Sequence, residues 1–108
     1  RDPAVGTAYR ADPLVHSKMS ARLYMGVYTS GLWALEHAAE FPLPLLLLHG
    51  GDDPITSAAA SREFAARAPD CTFKEWPGLR HEIHNEPEQN EVLAEIIAWL
   101  SALVGRVS

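Results

Sequence analysis

The sequence predicts an α/β fold with parallel strands, and three observations carry that reading. The run Leu45–His49 is apolar on both faces and too short for a helix, which is the pattern of a strand buried on both sides. A second short segment, Cys71–Trp76, alternates well enough for another strand and is stopped by Pro77-Gly78. The predicted order is helix, strand, helix, strand, helix, which makes one βαβ crossover with a helix at each end.

Each element has a local reason. Residues 1–16 contain two Asp-Pro steps, Asp2-Pro3 and Asp12-Pro13, and read as irregular chain with a short helix at most. Ser17 to Ala39 reads as the first long helix, with Leu23, Val27, Gly31, Ala34, Leu35 and Ala38 along one face, ended by Phe41-Pro42. Gly26 and Gly31 weaken its interior by about 1 kcal/mol each relative to alanine, so close packing is expected at both. After the strand come a loop, Gly50–Thr56, and a helix to about Arg67 that Thr56 or Ser57 can cap. Ala60, Phe64 and Ala68 share one side of it. The last helix runs from about Pro87 to Val104. Its expected buried face is Val92, Leu93, Ile96, Ile97, Leu100 and Leu103, with Glu88, Glu91 and Glu95 outward. Two strands do not make a sheet. A strand buried on both faces needs a neighbour on each side, so an upstream half of the same fold or another chain is expected to supply one. The chain opens at Arg1 without a methionine, and a fragment, a processed product or a split enzyme is expected.

Bulk properties exclude some classes. The 108 residues are 47% hydrophobic and 21% charged, which is ordinary globular composition. A formal charge of −5 disfavours nucleic acid as a partner, since phosphate binding calls for a basic patch. No apolar run is long enough to span a bilayer, and no secretory signal pattern opens the chain. Cys71 is the lone cysteine, which excludes an internal disulfide or a thiolate metal cluster. A reducing, cytoplasmic setting is the default expectation.

The chemistry gathers in two loops. In open parallel sheets, functional groups collect after the C-terminal ends of strands. The loop after the first strand holds Asp52 and Asp53, and the loop after the second holds Arg80, His81, Glu82 and His84. Adjacent strands of a crossover deliver both loops to one edge, so an aspartate and a histidine can meet there. Such a carboxylate fixes the imidazole tautomer through Nδ1 and leaves Nε2 to take a proton from a nucleophile.

Three segments resemble the C-terminal part of an α/β-hydrolase, in the monoacylglycerol lipase and lysophospholipase (serine aminopeptidase-like) branch. DPLVH, Asp12–His16, is similar to the chain leaving that branch's cap; LLLLHGGDDPIT, Leu45–Thr56, resembles its penultimate core strand and acid loop; WPGLRHEIHNEP, Trp76–Pro87, resembles its histidine loop. The resemblance implies residues 1–40 as the end of a cap and connecting helix, and residues 41–108 as C-terminal core. The family's acid loop, H-G-x-x-D, falls on His49 to Asp53 and assigns the triad acid to Asp53. The histidine before an acidic residue is His81. The order Ser, Asp, His also matches the superfamily.

One departure is plain. The superfamily's nucleophile sits in G-x-S-x-G, and no serine of this chain has those flanking glycines. The serine and the oxyanion hole are therefore expected upstream, and the 108 residues alone are expected to be inactive. The resemblance implies a serine ester hydrolase acting on monoacylglycerol-like or lysophospholipid-like esters, without cofactor or metal. Peptidase, epoxide hydrolase or dehalogenase chemistry, or an inactive assembly module, are the alternatives. Asp52 competes with Asp53, and His84 with His81. A His81–His84–aspartate metal site is a further alternative, but HEIH lacks HExxH spacing. His49 is expected to order the acid loop, and His16 and His37 to be structural or exposed. Met19, Leu23 and Met25, with Tyr24 and Tyr28, are candidates for lining an acyl pocket against ordinary cap packing. Peripheral membrane contact through the cap stays open.

Overall fold

The computed structural model describes residues 1–107. Helix α1 spans Pro3–Ala11 and α2 Ala21–Glu36, followed by a 3₁₀ turn at Ala38–Glu40. Strand β1, Leu45–Gly50, leads through α3, Ala58–Arg67, to β2, Cys71–Trp76. A 3₁₀ turn at Ile83–Asn85 precedes α4, Gln89–Val107. The strands pair in parallel from Leu45 opposite Cys71 to Gly50 opposite Trp76, with α3 as the crossover. This is the predicted βαβ unit, and among the described residues it is a two-stranded, incomplete sheet.

The first helix is longer than expected. The Asp2 carboxylate accepts from the Ala4 N–H at 2.9 Å, and Pro3 occupies the first turn, where its missing N–H costs nothing. Asp12-Pro13 then closes the helix from the other end. Both Asp-Pro steps bracket the helix rather than break it. Helix α2 starts at Ala21, not Ser17, because Ser20 caps it by accepting from the Leu23 N–H at 3.1 Å. It ends at Glu36, before Phe41-Pro42. His37 stacks on Trp33 with ring centroids 4.1 Å apart and donates to the Trp33 carbonyl at 2.8 Å. Ser57, rather than Thr56, caps α3. Pro87 lies in a turn just ahead of α4 instead of inside its first turn.

The core is small. Trp76, Leu79, Ile83 and Val92 are buried together, with Leu48 and Ile96 packed against them. Three expectations about faces need correction. Among the described residues of α4 only Val92 is fully buried, whereas Leu93, Ile97 and Leu100 are exposed, because only part of that stripe meets β1 and the histidine loop. Glu88 and Glu95 are only partly exposed, Glu88 pairing with Arg1 and Glu95 with Lys74 at 3.1 Å. On α2 only the C-terminal end of the predicted face is covered: Ala34 and Leu35 are half-buried and Ala38 is buried, whereas Leu23 and Val27 are exposed and a Cβ built at Gly26 or Gly31 meets no neighbouring element within 4 Å.

Two backbone features aim the loops that follow the strands. Trp76-Pro77-Gly78-Leu79 is a tight turn, with Gly78 at φ +80° and the Leu79 N–H donating to the Trp76 carbonyl at 3.2 Å. Beyond the strand ends, Gly51 N–H donates to Trp76 O at 2.8 Å and Asp52 N–H to Leu79 O at 2.9 Å, which stitches the loops together. A Cβ at Gly50 would stand 2.1 Å from the Arg80 carbonyl oxygen, so this contact admits only glycine.

Candidate active site

The stitched loops bring Asp53 and His81 together. His81 Nδ1 donates to Asp53 Oδ2 at 2.9 Å. The Asp53 side chain is 2% exposed, whereas that of His81 is 44% exposed. The buried carboxylate thus meets the ring from behind, and Nε2 makes no hydrogen bond among the described residues. A groove of about 380 Å³ opens beside the ring, bounded by Ile55, Arg80 and Asn85 and by Pro3 and Gly6 of α1. Arg1 pairs with Glu86 and Glu88 and ties α1 to the histidine loop.

Asp53 is built for ionisation. Burial alone would raise its pKa. Hydrogen bonds outweigh burial: Oδ2 accepts from Thr56 Oγ1 at 2.7 Å and from His81, and Oδ1 accepts from the N–H groups of Ile55 at 2.8 Å and Thr56 at 3.1 Å. The carboxyl is held well below the usual carboxylate range. Pro54 and the Asx-type turn over Asp53–Thr56 form this cradle from local sequence.

His49 completes the surroundings. Its Nε2 lies 3.1 Å from Asp53 Oδ2 and 3.3 Å from the Thr56 carbonyl oxygen, and its Nδ1 is 2.7 Å from Ser61 Oγ on α3. Thr56 enters the sequence reading only as a cap candidate and Ser61 only as a serine without flanking glycines. The available signal is the D-x-x-T spacing and the position of Ser61, one turn into the helix that follows the strand.

The competing residues stand elsewhere. The Asp52 side chain is exposed and makes no hydrogen bond or ion pair among the described residues, and His84 is exposed on its 3₁₀ turn. His16 accepts from the Lys18 N–H in an exposed segment. Met19, Leu23 and Met25 are 59%, 55% and 54% exposed, and none of them lines the groove beside His81. An apolar groove of about 490 Å³ lies instead between α2, α3 and β1, lined by Val27, Tyr28, Leu32, Leu47 and Phe64. Of the pocket candidates, Tyr28 alone lies on it. No helix among the described residues is long and apolar enough to cross a membrane.

Comparison with known proteins places this geometry in context. The family model described as serine aminopeptidase, S33, matches residues 1–88. A monoacylglycerol lipase of Mycolicibacterium smegmatis is 40% identical over 103 residues, covering 93% of this chain and 37% of that protein. A putative monoglyceride lipase of Schizosaccharomyces pombe is 38% identical over 104 residues, covering 93% of this chain and 28% of that protein. The crystal structure of a monoacylglycerol lipase of Paleococcus ferrophilus superposes with a TM-score of 0.86 at 34% identity, over 94% of this chain and 41% of that one. The chain therefore spans well under half the length of these relatives.

Proposed function

Because the chain belongs to the serine aminopeptidase S33 family of α/β-hydrolases, we infer that it supplies the Asp and His of a Ser-His-Asp triad in a serine ester hydrolase. The substrates are monoacylglycerol-like or lysophospholipid-like esters. The contact of His81 Nδ1 with the buried Asp53 carboxylate at 2.9 Å carries the reading. Asp53 holds the ring in the Nδ1–H tautomer and stabilises the imidazolium. His81 Nε2 takes the proton of a serine hydroxyl as its oxygen attacks the ester carbonyl, then gives it to the leaving alcohol. In the second half it takes a proton from water as the water oxygen attacks the acyl carbonyl, and it returns that proton to the departing serine oxygen, which releases the carboxylic acid. The nucleophile and oxyanion donors come from outside these 108 residues, residues 1–40 are the end of a cap and a connecting helix, and residues 41–108 are the C-terminal segment of the core.

Hydrolysis of p-nitrophenyl butyrate and of a monoacylglycerol tests this in the enzyme that carries the chain. Asp53→Asn is expected to lower kcat by about 10⁴-fold and His81→Ala by at least as much. Normal activity in either variant would overturn the assignment. Turnover by the 108-residue chain alone would overturn the external nucleophile. The description of the matching family favours a second reading, a peptidase. Aminoacyl p-nitroanilides cleaved faster than esters would select it.

A further inference from the structure

His49 and Ser61 form a second layer behind the Asp53–His81 pair, and their protonation follows from what surrounds them. His49 Nε2 faces the Asp53 carboxylate oxygen at 3.1 Å and the Thr56 carbonyl oxygen at 3.3 Å. Both are acceptors, and the third oxygen nearby, Thr56 Oγ1 at 3.4 Å, gives its one proton to Asp53 Oδ2 at 2.7 Å, so a bare nitrogen lone pair there would be repelled. Nε2 must carry the proton. In the neutral ring Nδ1 is then an acceptor, and Ser61 Oγ donates to it at 2.7 Å. The His49 side chain is only 9% exposed, so water offers little substitute for either partner.

The arrangement spans three elements. Ser61 stands on α3, His49 near the end of β1, and the Nε2–H points into the turn from Asp53 to Thr56. Thr56 is the residue whose hydroxyl and N–H both bind the Asp53 carboxylate. We propose that His49, with its tautomer set by Ser61, is a positioning residue that fixes the Asp53–Thr56 turn so that the carboxylate meets His81 Nδ1. This rests on the triad reading above. Ser61 thereby has a role although it lacks any nucleophile motif. A loosened turn would let the carboxylate rotate away from His81, and displacements near 1 Å in such constellations cost about 100-fold in rate.

The test is steady-state hydrolysis of p-nitrophenyl butyrate by the enzyme carrying this chain, with kcat and KM resolved. His49→Phe is expected to lower kcat about 30- to 100-fold with KM within about twofold, since the residue acts through Asp53 and not on substrate. His49→Gln keeps an N–H donor near the Nε2 position and is expected to recover kcat to within about fivefold of wild type. Ser61→Ala is expected to lose about fivefold in kcat and Ser61→Thr, which keeps the hydroxyl, to recover it. Equal losses in His49→Phe and His49→Gln, or an unchanged kcat in His49→Phe, overturn the proposal. Where His49→Phe does not fold, the Ser61 pair decides, and a Ser61→Ala enzyme with wild-type kcat overturns it. Asp53→Asn is measured alongside. If Asp53→Asn is inactive while all His49 and Ser61 variants keep wild-type kcat, this proposal alone fails. An active Asp53→Asn enzyme overturns the triad reading and this proposal with it.

Discussion

Asp53 ties stability to pH, in a direction that follows from its partners. Its folded pKa lies below that of the unfolded chain, so its contribution to stability is fully present above about pH 5. That contribution shrinks as the pH falls below the ordinary carboxylate value and vanishes once it passes the depressed folded one. Thermal unfolding of wild type and Asp53→Asn is expected to differ most near neutrality and to converge in strong acid; a constant gap down to pH 2 would contradict this. The same depression keeps Asp53 ionised wherever the enzyme turns over. Protonation of Asp53 is then expected to make no contribution to the acid limb of kcat/KM. Two protons per site on that limb would contradict it. Thr56 contributes a hydroxyl bond of 2.7 Å to the charged oxygen. Thr56→Val is expected to cost about 1.5–3 kcal/mol in denaturant unfolding at neutral pH.

At the scale of elements, two glycine positions separate tight packing from open surface. Gly50→Ala would push a methyl group against the Arg80 and Leu79 carbonyl oxygens, 2.1 and 2.5 Å away, where the loops are stitched. A loss above about 4 kcal/mol, or no folded protein, is expected. Gly26→Ala in α2 meets nothing within 4 Å and is expected to stabilise the 108-residue chain by up to about 1 kcal/mol. A Gly26→Ala cost seen only in the longer enzyme would restore the close-packing explanation for that glycine. The elements differ in how far the sequence disclosed them for the same reason: some signals are local and some are not. β1, β2 and α3 were legible because apolar patterning and a Ser57 cap act within a few residues. α1 was underestimated because Asp-Pro marks a helix start as readily as a break. The meeting of loops bearing Asp53 and His81 followed from βαβ topology. The Ser61–His49 link did not, since it depends on where a helix turn crosses a strand end. Exposure of α2 and α4 was beyond reach as well, because a periodic apolar stripe says which face seeks burial and not what covers it.

The whole molecule has more surface than its mass explains. Folded proteins of 11.8 kDa expose about 5,900 Å² by the usual scaling, whereas this chain exposes 7,922 Å². Its radius of gyration is 16.0 Å, against about 13 Å for a compact domain of this length. The excess, about 2,000 Å², is the size of an obligate interface. It is also placed where such an interface belongs. The strand order leaves one edge of β1 unpaired among the described residues. Grooves lined by Leu47 and Phe64 on one side of β1, and by Leu45, Ile96 and Trp99 on the other, flank that edge. Open edges and large apolar patches drive association. The 108-residue chain alone is therefore expected to bind an apolar dye such as ANS strongly and to self-associate with rising concentration in sedimentation velocity. Covalent extension through the upstream half of the fold is expected to abolish both. A compact monomer with weak dye binding would mean that β1 is stable with a single neighbour, and the case for a required partner half would fall.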